Sequence, residues 1–234
     1  MRTADPQNIK KDFLSGLQEI QEVFNAVNVP GVGVTTSQKH LVAEYTFLGA
    51  SILLEGFISD LFVAYINKDP DVFVQAMTSS MQLTSEDDFG KRAITFTSKE
   101  IKSHLSLDKI RTILDPNEYN VTFPHESEMK KRAGLWLSAK HKGFFNSMPK
   151  PNYALIDTTK SVRNFLAHRS TAAQKNMQTA LANPDLPVEF KRKTNNIEKV
   201  GYFLCSSYKL NAISRLSFYI SSLESIAEAL CPKP

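Results

Sequence analysis

The sequence predicts an all-α protein, and three observations carry that expectation. Only nine glycines occur in 234 residues, which leaves little room for strands joined by Gly-rich turns. The hydrophobic residues, 42% of the chain, fall mostly in long runs whose apolar positions recur at three- and four-residue steps, the period of a helix. Those runs open on cap residues and close on breakers. There is no internal repeat, no low-complexity tract and no linker long enough to separate two units, so residues 1–234 read as a single domain.

The first helix is expected from about Pro6 to Asn28, with Ile9, Phe13, Leu17, Ile20 and Phe24 on one face and Asp5 before Pro6 as its start. Asn28-Val29-Pro30-Gly31 ends it. Thr36 or Ser37 can cap the second helix, which runs to about Asn67 and is apolar around most of its circumference, as suits the centre of a bundle. Within it Tyr45 to Ile66 is long enough to span a bilayer. Glu55 and Asp60 argue against that, because an acidic residue near a bilayer centre costs about 2.5–3.5 kcal/mol. A buried helix of a soluble bundle is expected, with no membrane partner. In that setting the Glu55 carboxylate needs a partner, a hydrogen bond or a proton.

Between Lys68 and Pro151 the pattern is weaker. A short helix is expected from Pro70 to Met81, a solvated loop at Glu86-Asp87-Asp88, and one or two short helices from Ser98 to Leu114 with Ser98 and Ser106 as caps. Glu128 to Phe145 reads as one amphipathic helix opening on Met129-Lys130-Lys131-Arg132. No acidic residue follows before Lys150, and Trp136, Phe144 and Phe145 are interleaved. This is a solvated face or a nucleic-acid contact surface. A helix starting near Asp157 or Thr158 carries Lys160 to Arg169, a polar link covers Ala172 to Asp185, and a second basic cluster, Lys191-Arg192-Lys193, precedes a final helix from about Asn196 to Leu230.

The net charge of +4 permits a nucleic-acid partner without requiring one. Cys205 and Cys231 have no metal-ligand or CxxC spacing and read as buried thiols of a reducing compartment. The N-terminal residues lack the apolar run of a signal peptide, so a cytoplasmic location is expected. P-loop, GxGxxG, GxSxG and HExxH signatures are absent. His40, His104, His125 and His141 have no ligand-like spacing and read as solvated or capping residues.

The Lys160–Arg169 stretch differs. At about 100° per residue, Val162, Phe165 and Leu166 share one stripe, and Lys160, Arg163, Asn164, Ala167 and His168 share the opposite one. Asn164 and His168 are four apart, so the amide can hold the imidazole. An imidazole can move a proton, and a guanidinium can grip a phosphate. By geometry alone this is either a surface helix or a reaction site.

Arg163-Asn164-Phe165-Leu166-Ala167-His168 also form an R-N-x-x-x-H pattern, and Leu48-Gly49-Ala50-Ser51-Ile52-Leu53-Leu54-Glu55-Gly56-Phe57-Ile58-Ser59-Asp60-Leu61 is similar to the acid-bearing helix of RiboL-PSP-HEPN and related groups. On these two stretches the chain resembles the HEPN superfamily of helical, often dimeric ribonucleases. The resemblance covers about 37–67 and 153–230; the N-terminal helix, 6–28, and the segment 68–151 would be additions to a HEPN-like helical bundle.

The resemblance implies catalysis by Arg163 and His168, with Asn164 orienting the site and Glu55 pairing with Arg163 or positioning it. Lys160, Arg169, Lys130, Lys131 and Arg132 are the candidate RNA contacts. No metal or cofactor is implied, since in the family the RNA 2′-hydroxyl attacks the adjacent phosphate and leaves a 2′,3′-cyclic phosphate. The implied protein is a homodimeric endoribonuclease, a toxin or antiphage defence effector, with an antitoxin or defence-system protein as partner; Ala167 is small enough to let two such helices approach. Some toxin members carry a modifiable tyrosine two positions after the histidine, where this chain has Ser170, so silencing by that route is not implied. The alternative is a non-catalytic HEPN-like module that binds RNA, a nucleotide or a partner protein. A helical scaffold without a ligand is the third possibility.

Overall fold

The computed structural model describes residues 4–29, 31, 33–80, 105–115, 123, 125–192, 197–209 and 213–233. Among them it is all-α, 76% helical, with helices α1 Pro6–Asn28, α2 Thr36–Lys68, α3 Asp71–Ser80, α4 Leu107–Leu114, α5 Glu126–Trp136, α6 Ala139–Asn146, α7 Lys150–His168, α8 Thr171–Leu181, α9 Val200–Cys205 and α10 Arg215–Leu230. The expected loop at Glu86-Asp87-Asp88, the Ser98 cap and His104 lie outside the described residues.

Helix α2 is the axis of the fold: α1, α4, α7, α9 and α10 all pack on it. It starts in a capping box, Thr35 Oγ1 accepting from the Gln38 N–H at 3.3 Å while the Gln38 side chain accepts from the Thr35 N–H at 2.8 Å. The reciprocal bonds favour Thr35 over the expected Thr36 or Ser37, because they satisfy two backbone donors at once. By length and composition α2 could cross a membrane, but 61% of its most apolar window is buried inside the protein. Phe47, Ala50, Leu54, Leu61 and Phe62 supply much of that buried surface.

Helix α1 begins as expected, with Asp5 accepting from the Gln7 N–H at 3.0 Å. It lays Phe13, Leu17 and Phe24 against α2, and Phe13 stacks on Phe57 at 4.5 Å. Its buried cation, Lys10, has full hydrogen-bond company: Nζ donates to Glu228 Oε2 at 3.0 Å and to the Cys231 carbonyl at 2.8 Å. Such pairing is the condition for burying an ammonium. Gln7 adds a bond to the Pro232 carbonyl at 2.8 Å, so α1 ties down the end of α10. Both cysteines are free thiols, Cys231 buried and Cys205 half-buried.

Four expected elements are corrected. The segment read as one helix from Glu128 to Phe145 is two, α5 and α6, because Leu137 leaves the helix in an extended conformation to bury its side chain. Helix α7 begins at Lys150 rather than near Asp157: Pro151 is tolerated in a first turn, and Tyr153, Ala154, Leu155 and Ile156 extend the buried stripe backwards. The expected polar link after Ala172 is helix α8, held to the core by Met177 and Leu181, four apart, and capped by Ser170 accepting from the Ala173 N–H at 3.2 Å. The expected final helix is broken into α9 and α10. Ser206 and Ser214, which compete for backbone hydrogen bonds, flank the break, where Ser207 and Ser214 form an antiparallel bridge and Ser214 caps α10.

Phe73, Ile110, Met129, Ala133 and Phe145, from the segment outside the resemblance, belong to the same hydrophobic cluster as Phe47, Leu61 and Tyr219. That segment therefore shares the core. His141 is part of it as well: it is buried, stacks on Tyr65 at 4.2 Å, and its Nδ1 lies 3.2 Å from Ser138 Oγ. Burial holds its pKa below the ordinary histidine value. His141 is thus a core histidine rather than a solvated one.

Candidate functional site on α7

The two faces of α7 separate as the 100° spacing requires. Val162, Phe165 and Leu166 are buried, whereas Asn164, Ala167 and His168 are exposed and Arg163 is half-buried. The helix stops at His168 because Arg169 adopts a left-handed conformation, φ 51° and ψ 21°, and its N–H closes on the Phe165 carbonyl at 2.8 Å. Ser170 then caps α8. The histidine consequently stands at a sharp corner between two helices, on the rim of an open groove of about 1280 Å³ lined by Lys160, Asn164, His168, Asn176 and Asn183 among others.

Arg163 lies beside the acid expected to meet it: Nη2 is 3.5 Å from Glu55 Oε2. The setting differs from expectation. The Glu55 side chain is 41% exposed, because α2 presents an uncovered stripe of Leu41, Tyr45 and Ile52 on this side. A solvated pair of this kind contributes about 0–1 kcal/mol, so it aims Arg163 more than it stabilises the fold. Arg163 Nη1 also donates to Asn164 Oδ1 at 3.2 Å. The amide therefore holds the guanidinium, not the imidazole as its four-residue spacing from His168 suggested. His168 makes no hydrogen bond or ion pair with a described residue, leaving both ring nitrogens open to a ligand.

The five candidate RNA cations are all engaged. Lys160 Nζ donates to the Phe123 carbonyl and lies 4.0 Å from Asp157; burial pulls its pKa down, opposed by Asp157 and Glu55. Lys130 pairs with Glu126 and sits over the Tyr153 ring at 4.5 Å. Lys131 and Arg132 both reach Glu128, at 3.9 and 3.1 Å. Arg169 pairs with Glu44 and lies over the Phe165 ring at 5.4 Å. The acids that answer the Lys130–Arg132 run, Glu126 and Glu128, precede it by one helical turn.

Glu44 is the residue sequence reasoning missed. Its Oε1 accepts from the Gly201 N–H at 2.9 Å, its Oε2 accepts from Arg169, and its side chain is 15% exposed. One carboxylate thus fastens the corner after His168 to α2 and to the start of α9. Its sequence signal was an acid one turn from the start of an otherwise apolar stretch. Glu44→Ala leaves the buried Gly201 N–H without an acceptor and should destabilise the protein by about 2 kcal/mol, measured by urea unfolding against wild type.

Among the described residues no group of three His, Cys, Asp or Glu side chains is placed to hold a metal ion. What the site offers is an imidazole that no described residue engages, a guanidinium held by a carboxylate and an amide, and a groove lined by His168 and Asn164. No family model matches the chain, and no curated protein or solved structure matches it.

Proposed function

We propose that the protein is a metal-independent endoribonuclease of the HEPN type, acting in the cytoplasm as a toxin or antiphage defence effector. The observation that carries the reading is the presence on one helix of an exposed His168, which no described residue engages, and of Arg163 oriented by Glu55 and Asn164. In this reading an RNA 2′-hydroxyl attacks the adjacent phosphorus and the 5′-oxygen of the next nucleotide leaves, giving a 2′,3′-cyclic phosphate. His168 moves a proton at one of those two oxygens. Arg163 neutralises the charge that develops on the phosphoryl oxygens. The direct test is cleavage of single-stranded RNA by the purified protein with and without chelator.

In-line attack uses both a base and an acid, and α7 presents one histidine. We infer that two copies meet across a two-fold axis through α7 and the neighbouring stripe of α2. On α2 the residues facing α7, Glu44 and Glu55, are about 20° apart around the axis, and Leu41, Ile52 and Tyr45 follow within about 100°. These three side chains are 52%, 59% and 66% exposed, and the small Ala167 is exposed on α7. Ile52→Asp should yield a folded monomer by sedimentation with cleavage sharply reduced, because the exposed position carries no packing cost. A dimer that persists with full activity would contradict this interface.

The apolar stripe also favours a second reading, a non-catalytic module whose α2 face receives a partner protein such as an antitoxin or another defence component. The engaged state of Lys130, Lys131, Arg132, Lys160 and Arg169 fits that reading too. In either case control by modification at Ser170 is not expected, since its hydroxyl caps α8.

A further inference from the structure

Away from α7, two guanidinium groups act on each other with no carboxylate paired to either among the described residues. Arg215, the first residue of α10, is only 6% exposed. It is held rigidly: Nη1 donates to Ser206 Oγ at 2.7 Å, the backbone N–H donates to the Ser206 carbonyl at 2.9 Å, and the guanidinium lies over the Phe203 ring at 5.0 Å. Its Nε is buried with no acceptor. Arg192 is fixed at the end of α8 by its N–H bond to the Leu181 carbonyl at 2.8 Å, and its Nε is likewise buried without an acceptor.

The two charges act on each other: burial lowers the Arg215 pKa, and Arg192 lowers it further. Tyr208 is the other titratable group that acts on Arg215. Among the described residues no carboxylate pairs with either arginine. The position at the start of α10 adds the positive end of a helix dipole. Burying a charge without a counter-charge is costly, and here two cations act on each other. No described residue balances the arrangement, whereas a dianion would.

We propose that Arg192 and Arg215 bind a phosphate monoester. Such a group carries about −1.5 to −2 charge at neutral pH, which balances the pair, and its oxygens accept from the terminal guanidinium N–H groups. A carboxylate or a phosphodiester carries only one charge. The source is either a free nucleotide or the 5′-phosphate of an RNA strand, and the site stands apart from the ribonuclease reading.

The test compares thermal unfolding of the full chain in sodium phosphate, in adenosine monophosphate and in sodium chloride at equal ionic strength. Wild type should gain more than about 3 °C from either phosphate over chloride. Arg192→Gln should lose that gain while being at least as stable as wild type in chloride, because it relieves the like-charge contact. Arg192 is only half-buried, so this variant folds even if Arg215→Gln does not. His168→Ala protein, which leaves RNA intact, then identifies the source by fluorescence anisotropy. A preference of about tenfold for 5′-phosphorylated over 5′-hydroxyl RNA, lost on adding Arg192→Gln, marks a strand end; equal affinities with a retained adenosine monophosphate gain mark a free nucleotide. Equal stability of wild type in phosphate and chloride, or a full phosphate gain in Arg192→Gln, would overturn the proposal.

Discussion

His168→Ala is expected to reduce RNA cleavage by about 10²–10⁴-fold, the usual contribution of a positioned proton-transfer group, with no loss of stability. The imidazole is exposed at the last position of α7 and makes no bond to a described residue, so its removal exposes no cavity and orphans no partner. The two effects can be separated in one preparation. Activity would be followed by single-turnover cleavage of a labelled RNA, stability by thermal unfolding, and dimerisation by sedimentation. An inactive variant that unfolds at the wild-type temperature places the defect in chemistry. An active variant removes His168 from the mechanism.

Gly201→Ala is expected to have the largest effect on stability. A Cβ at this position would lie 2.3 Å from the His40 carbonyl oxygen and 2.7 Å from its carbonyl carbon. Both are backbone atoms of α2, so no side chain can swing aside, and α9 must move away from α2. Overpacking of this kind costs about 3 kcal/mol, which for a chain of this size lowers the midpoint by about 6–12 °C. The displacement also pulls the Gly201 N–H off Glu44 Oε1, the carboxylate that holds Arg169. Cleavage should therefore fall with stability in Gly201→Ala and recover in part at lower temperature. In His168→Ala it should not recover.

The helices that the sequence made legible are those with long apolar periods and unambiguous caps. Asp5 with Pro6, and the Phe13, Leu17, Phe24 stripe, place α1 without help from the rest of the chain. The breaks were hidden because each depends on a tertiary partner. Leu137 leaves its helix to reach the core, and Ser206 and Ser214 flank a break beside a bridge that connects residues seven apart. Helix α8 escaped notice for the opposite reason, since only Met177 and Leu181 interrupt a mostly small and polar surface.

For the site, the faces of α7 followed from spacing alone, and the partnership of Glu55 with Arg163 is present at 3.5 Å. What spacing could not supply was the choice among neighbours. Asn164 can reach either Arg163 or His168, and the guanidinium, adjacent in sequence and charged, is the one that it meets. Charge runs misled in a similar way. No acid follows Lys130, Lys131 and Arg132 before Lys150, yet Glu126 and Glu128, which stand before the run, engage all three. Glu44 reads as one more polar position until the fold brings Arg169 and Gly201 to its two oxygens.

The measurement that tests the central claim most directly is incubation of purified wild-type protein with single-stranded RNA in excess chelator, followed by analysis of the new 3′ ends. The account predicts chelator-insensitive cleavage that leaves 2′,3′-cyclic phosphate and 5′-hydroxyl ends and disappears in His168→Ala. Intact RNA, or cleavage that persists in His168→Ala, would contradict it.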